Sequence, residues 1–236
     1  MNPSSGCMRG WRPGAWLLAA ALLAGPAARA GTISGQVRAE GKQIAGEEGG
    51  AGGSYESRKY KFLERVDYGE LRDFVVHIEG PVAGDPGPPT NRSEVVAHKN
   101  ATFLPYVLPV AVGTAVAWPN RDDIFHNAFS FSETKPFDLG YYKDEVRTVV
   151  FDKPGRVDVF CSIHKNMHCI ILVLENSYFA KTDERGRYAI RDVPAGTYRL
   201  RAWHERMPPQ VQEVVVPGDG DVQADFTLGI KGLPTY

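Results

Sequence analysis

Cys161, His164 and Met167 recur at three-residue intervals in the stretch Phe160-Cys161-Ser162-Ile163-His164-Lys165-Asn166-Met167-His168. A thiolate, an imidazole and a thioether on one short loop are three of the four donors of a His2Cys copper site with a weak axial methionine. The remaining donor has to be a histidine from a distant part of the chain. His126, in Asp122-Asp123-Ile124-Phe125-His126-Asn127, is the candidate. Soft sulfur donors favour Cu(I) and imidazoles suit either oxidation state, so a rigid fold holding one compromise geometry suits reversible one-electron chemistry. Cys161 has to bind as a thiolate, a state the metal itself enforces. The pattern predicts one type 1 (blue) copper ion in an electron carrier. The alternative is copper binding and handling without an electron-transfer role.

The neighbouring residues leave two other chemistries open. His168 and Cys169 extend the spacing to C-x2-H-x3-H-C, which a Cys2His2 zinc site could use. Cys161 and Cys169, an even pair in an exported chain, could also form a disulfide. Against zinc, residues 169–174 are apolar at both parities and read as a strand buried on both faces, with Cys169 acting as a small hydrophobe. Adjacent strand residues point to opposite faces, so one tetrahedron would have difficulty collecting both His168 and Cys169. His77 and His98 sit in predicted strands and His204 at a strand end; all three read as structural. Asp122-Asp123 reads as a solvated turn. Asn91-Arg92-Ser93 and Asn100-Ala101-Thr102 fit the glycosylation sequon. Neither a nucleophile elbow, a phosphate loop nor a haem-attachment motif is present. A metal saturated by four donors leaves no open position for substrate, so no enzymatic turnover is expected.

The elements that must position these residues are strands. The 236 residues include 25 Gly and 17 Pro, which favours many short turns and an all-β fold. Residues 1–30 differ in kind. Arg9 and Arg12 precede an apolar stretch over 16–24, and Ala28-Arg29-Ala30 is a small-x-small cleavage site. This predicts a secretory signal peptide, a mature protein from Gly31 exported to a bacterial periplasm, and no stable membrane insertion after cleavage. Removing the three leader arginines leaves 24 basic against 28 acidic residues, a net charge of about −4. No basic stripe suggests nucleic acid.

Alternation predicts strands over 32–37 and 74–79, separated by a flexible Gly-rich loop over 47–54 and a short helix within 55–72. A Gly/Pro-rich linker follows over 81–89. A second set begins at 94–98 and continues with a hairpin, 107–112 and 115–118, turning at Gly113-Thr114. Strands at 128–132, 148–151 and 156–160 follow, the last entered through Lys153-Pro154-Gly155. From 180 onward, turns at Gly186, Gly196 and residues 217–220 separate about five more strands, few for a closed sandwich. The strands near 32–37 and 74–79 could supply the rest. This predicts a discontinuous sandwich, 31–90 with 176–236, and a copper module over 91–175 inserted into it.

The inserted segment resembles the cupredoxins, the plastocyanin- and amicyanin-like blue copper proteins. The likeness rests on the short Cys161-x2-His164-x2-Met167 loop, on Val112-Gly113-Thr114-Ala115-Val116-Ala117-Trp118-Pro119-Asn120 followed by His126-Asn127, and on Pro154-Gly155. It implies a Greek-key β-sandwich in which His126 and His164 bind copper through Nδ1, Cys161 through sulfur and Met167 axially. It further implies that Asn127 pins the ligand loop, that His164 turns its outer edge to solvent, and that the redox partner is a protein such as a c-type cytochrome or periplasmic dehydrogenase. The flanking sequence resembles the carboxypeptidase regulatory-like (transthyretin-like) domains, a second small antiparallel β-sandwich. Thr182-Asp183-x-x-Gly186-x-Tyr188, Val193-Pro194-x-Gly196-x-Tyr198-x-Leu200 and Ile33-Ser34-Gly35-Gln36-Val37 carry that match. The layout as a whole is similar to bacterial exported plastocyanin-like proteins of the methylamine-utilisation type.

Overall fold

A computed structural model describes residues 30–41, 67–88, 93–218 and 220–229. The predicted leader (save Ala30), the Gly-rich loop and most of the predicted helix over 55–72 lie outside the described residues. The end of that last segment is a single 3-10 turn, Tyr68–Glu70, capped where Gly69 N–H donates to Asp67 Oδ1 at 2.9 Å. No helix among the described residues is long and apolar enough to cross a membrane.

The strands assemble into two sandwiches. One sheet of the first orders Val107–Ala111, His168–Leu174, Gly155–Phe160, Phe129–Ser130 and Phe137–Asp138; the facing sheet orders Val146–Phe151, Thr114–Pro119 and Glu94–Val95. Alternation does the sorting. In Thr114–Pro119 the buried residues are Thr114, Val116 and Trp118, every second one, and Val116 and Trp118 join Phe103, Phe151 and Ile171 in the core. The second sandwich pairs Arg187–Pro194 with Ala30–Glu40, against which the closing strands Val222–Gln223 and Phe226–Gly229 run parallel. Its other sheet orders Phe179–Lys181, Val75–Ile78, Gly196–His204 and Met207–Val216. Ile33, Phe74, Tyr188, Leu200 and Leu228 lie between these two sheets.

The predicted hairpin over 107–118 does not form. Val107–Ala111 pairs in parallel with His168–Leu174, while Thr114–Pro119 pairs with Val146–Phe151 in the opposite sheet. Gly113, at φ +90°, turns the chain from one sheet to the other, a conformation open to glycine at little cost. Alternation fixes which side chains face inward, not which strand supplies the hydrogen bonds, so arch and hairpin read alike in sequence.

His168–Leu174 is buried on both faces, as its unbroken apolar run predicts. Cys169, Ile171 and Val173 enter the first core. Ile170, Leu172 and Leu174 turn outward onto Val75, Val107, Phe179 and Trp203, the seam between the sandwiches. The chain crosses that seam twice, and Asn176 ties the crossings together, donating to Ile78 O at 2.8 Å and Gly80 O at 2.6 Å. Both parities of this strand are therefore expected to matter. Ile170→Ala and Ile171→Ala should each cost about 2–5 kcal/mol in urea denaturation. A near-neutral Ile170→Ala would mean that the seam is not packed.

Candidate metal centre

The centre is built where two loops meet at one end of the first sandwich. The ligand loop joins Gly155–Phe160 to His168–Leu174, whose register sets Phe160 opposite His168. Cys161 N–H donates to Met167 O at 3.2 Å, and Met167 N–H to His164 O at 3.0 Å, which folds the loop back on itself. Gly155, at the far end of the Cys161 strand, has φ +138°, and a Cβ there would stand 2.6 Å from Thr134 Oγ1. The strand's entry turn thus has no room for a side chain.

His126 arrives from the loop after Thr114–Pro119. Its backbone is pinned in both directions to Tyr142, 3.2 Å from His126 N to Tyr142 O and 2.9 Å from Tyr142 N to His126 O. The ring is fully buried, with Nδ1 at 3.0 Å from His164 Nδ1. His164 Nδ1 is in turn 3.6 Å from Cys161 Sγ. One donor atom from each of His126, Cys161 and His164 lies within 4.8 Å of the other two. His126 and Cys161 are buried and His164 is half-exposed.

Met167 is buried in the same core as Cys161 and holds the loop through its backbone. Asn127 joins the loop to the His126 segment. Its Oδ1 accepts from Ser162 N at 2.8 Å and Ser162 Oγ at 3.1 Å. Tyr141 adds a hydroxyl contact to Ser162 Oγ at 2.8 Å.

Asp122, read from the sequence as part of a solvated turn, is part of the site. Its Oδ2 is 2.9 Å from His126 Nε2 and its side chain is only 13% exposed. Asn100 N and Ala101 N donate to its two oxygens at 2.7 and 2.9 Å. Burial pushes the Asp122 carboxyl up, but the hydrogen bonds from Ala101, Asn100 and His126 outweigh it and hold it below the usual range. With Nε2 engaged by the Asp122 carboxylate, Nδ1 is the His126 nitrogen that faces His164. Asn100 and Ala101 both adopt positive φ, 55° and 49°, to present their N–H groups. The only sequence cue was a carboxylate four positions before a histidine, and nothing local pointed to the turn 22 residues upstream.

His98, His168 and His204 lie outside the cluster of donor atoms. His98 is fully buried behind His126, ring centroids 5.5 Å apart, with Nε2 3.0 Å from Tyr142 Oη. Tyr142 Oη itself donates to Trp118 O at 2.9 Å. Burial, with the neighbouring His126, lowers the His98 pKa to about 4, so it stays neutral. His204 Nδ1 accepts from Arg206 N at 3.1 Å. His168 turns away from the centre, with Nε2 2.9 Å from Asp158 Oδ1. Cys169 is wholly buried in the core, and burial raises its thiol pKa well above the ordinary value. Cys161 and Cys169 are both free, so the disulfide between them does not form, and the zinc arrangement loses His168 and Cys169 from its four donors.

The donor set fits one small ion. Bonds of about 2.0–2.3 Å from nitrogen and sulfur place neighbouring donors roughly 3.5 Å apart around a shared centre. The separations of 3.0 and 3.6 Å lie on either side of that figure. Two imidazole nitrogens and a sulfur, one of them on a different part of the chain, suit copper or zinc.

Residues 171–229 match the carboxypeptidase regulatory-like domain. The match begins inside His168–Leu174 and omits Ala30–Glu40, the partner of Arg187–Pro194. A comparison with curated proteins finds no match. Among solved structures the chain is similar to the copper-containing nitrite reductase NirK from Thermus scotoductus SA-01, with 28% identity over 42% of this chain and a TM-score of 0.35. The chain spans 28% of that protein's length. It is similar to a purple cupredoxin from Nitrosopumilus maritimus, 22% identical over 34% of this chain and 99% of that one, TM-score 0.31. A mutant of amicyanin in its Cu(I) form is 20% identical over 42% of this chain and 97% of that one, TM-score 0.33.

Removing the Asp122 carboxylate orphans the His126 Nε2–H and two backbone donors. Asp122→Ala is expected to cost about 1–3 kcal/mol in denaturant unfolding. It should also weaken metal binding about 10- to 100-fold in a chelator competition. Unchanged affinity would remove Asp122 from the site.

Proposed function

We propose that the protein is an exported one-electron carrier holding a single type 1 copper ion through His126, Cys161, His164 and Met167, with Asn127 and Asp122 fixing the ligands from behind. The observation that carries this reading is the convergence of His126, Cys161 and His164 from two separate loops within 4.8 Å. The remaining features are what such a carrier needs. Three donors are anchored through backbone pairs or second hydrogen bonds, so little has to move when an electron arrives. Copper would supply the redox couple; the chain would supply a thiolate and two imidazoles, with His126 and Cys161 buried and His164 half-exposed.

The surface around the half-exposed His164 supports electron exchange. Ile124, Phe125, Tyr141 and Ile163 are 48–58% exposed on the loops that carry or contact the ligands. Exposed apolar side chains with only a few charged neighbours in sequence, Arg121, Asp123 and Lys165, suit brief, weak encounters with a redox protein. A c-type cytochrome or a periplasmic dehydrogenase is the partner class proposed. We assign no catalytic turnover to the chain, and we place it in the periplasm after removal of residues 1–30. In this reading residues 31–90 and 176–236 form the outer domain and residues 91–175 the copper domain.

Cu(II) added to the metal-free protein is expected to give one equivalent of bound metal and intense visible absorption from sulfur-to-copper charge transfer. Cys161→Ser should abolish the colour. A colourless copper-loaded protein would end the electron-carrier reading.

A further inference from the structure

Phe160 and His168 are register partners, and Cys161, His164 and Met167 all lie between them. Their rings stack, with centroids 4.7 Å apart and planes at 19°. Whatever holds this pair holds both ends of the ligand loop. On the face turned away from the metal centre, His168 belongs to a ring of polar side chains with Asp158, Arg156, Glu205 and Tyr106. His168 Nε2 is 2.9 Å from Asp158 Oδ1, and Arg156 donates to both Asp158 oxygens at 2.7 and 2.9 Å. Arg156 also stands 4.0 Å from Glu205. Tyr106 Oη lies 3.3 Å from His168 Nδ1 and donates to Glu205, whose carboxylate oxygens are 2.8 and 2.9 Å away.

Four of these five residues belong to the first sandwich. Glu205 does not. It sits in the turn between Gly196–His204 and Met207–Val216 of the outer sandwich. Its side chain is 19% exposed, so the carboxylate reaches across the seam into a half-sheltered position. The rest of the seam is mainly apolar, built from Val75, Val107, Ile170, Leu172 and Leu174, with a further polar contact where Lys181 Nζ donates to Val107 O at 3.2 Å. Apolar contact is non-directional and tolerates sliding, whereas a charged hydrogen bond at 2.8 Å fixes one geometry.

We propose that Glu205 and Tyr106 are positioning residues through which the outer sandwich braces the metal-holding loop. The brace rests on the reading of that loop as a ligand loop. It gives the outer sandwich a purpose beyond covering Ile170, Leu172 and Leu174. The turn at Glu205 clamps Tyr106, Tyr106 touches His168, and His168 with Phe160 closes the base of the loop. Loosening the clamp leaves every donor in place but lets the loop breathe.

The test uses the full chain without metal and reads the loop through Cys161, which is 7% exposed and opens only when the loop does. Cys169, fully buried in the same strand pair, is the reference thiol in the same molecule. Alkylation of Cys161 by a small maleimide, followed by peptide mass spectrometry, should speed up several-fold in Tyr106→Phe and in Glu205→Ala. Glu205→Gln keeps an acceptor oxygen and the shape, and should give a smaller increase. The Tyr106→Phe/Glu205→Ala double variant should add little to the larger single effect, because the two side chains act on one contact. Leu172→Ala, which loosens the apolar seam without touching the clamp, should leave the Cys161 rate near that of the unaltered protein. Unchanged Cys161 labelling in both Tyr106→Phe and Glu205→Ala, or an equal rise in Leu172→Ala, would overturn the brace. In copper-loaded protein the same variants should shift the reduction potential and the visible band. If the unaltered protein takes up no copper, the electron-carrier reading fails and the thiol rates still decide the brace.

Discussion

The strand His168–Leu174 exchanges backbone hydrogen bonds with Gly155–Phe160 on one edge and with Val107–Ala111 on the other, while its two faces serve two different cores. That double burial is the constraint behind the site. A one-residue slip of a strand held on four sides would exchange its two apolar sets between two differently packed cores and break the contacts of both. The loop at its start therefore begins from a fixed point, and the backbone bond from Cys161 to Met167 closes it from the other side. Cys161, His164 and Met167 need no long-range search to find each other. Only His126 must be brought in, and the first core does that by packing His98 against its ring and pairing its backbone with Tyr142.

Burying polar donors in this way is costly unless each has a partner. The site meets that cost with groups that also aim the ligands. Asp122 takes the outer nitrogen of His126, Asn127 takes Ser162, and neutral His98 fills the space behind with its Nε2 on Tyr142. His98 Nδ1 and Trp118 Nε1 are the exceptions, buried without a hydrogen-bond partner among the described residues. Both belong to the aromatic packing at the back of His126, where close contact has taken precedence over polar satisfaction.

Legibility in the sequence tracked the range of the physical interaction. The Cys161, His164, Met167 spacing was visible because a turn-sized loop places its own residues, and the apolar run over 169–174 carried its double burial openly. His126 was legible as a histidine of the right kind beside Asn127. Asp122 was not, because its meaning depends on Asn100 and Ala101, whose positive φ angles leave no pattern in composition. The misplaced hairpin at Gly113 has a related cause: alternation reports faces, and partners are decided by the other strands. The Tyr106–Glu205 contact spans 99 positions and was invisible for the same reason.

The strand Ala30–Glu40 has a consequence for how the molecule comes together. Gln36 bonds to Arg185, 149 positions along the chain, and to Asp225, 189 positions along. The pairing of His126 with His164 spans only 38. Closing the longer loops costs roughly 1 kcal/mol more in chain entropy than closing the shorter one. The ligand pocket is thus the entropically easier closure, and the docking of the first strand the harder one.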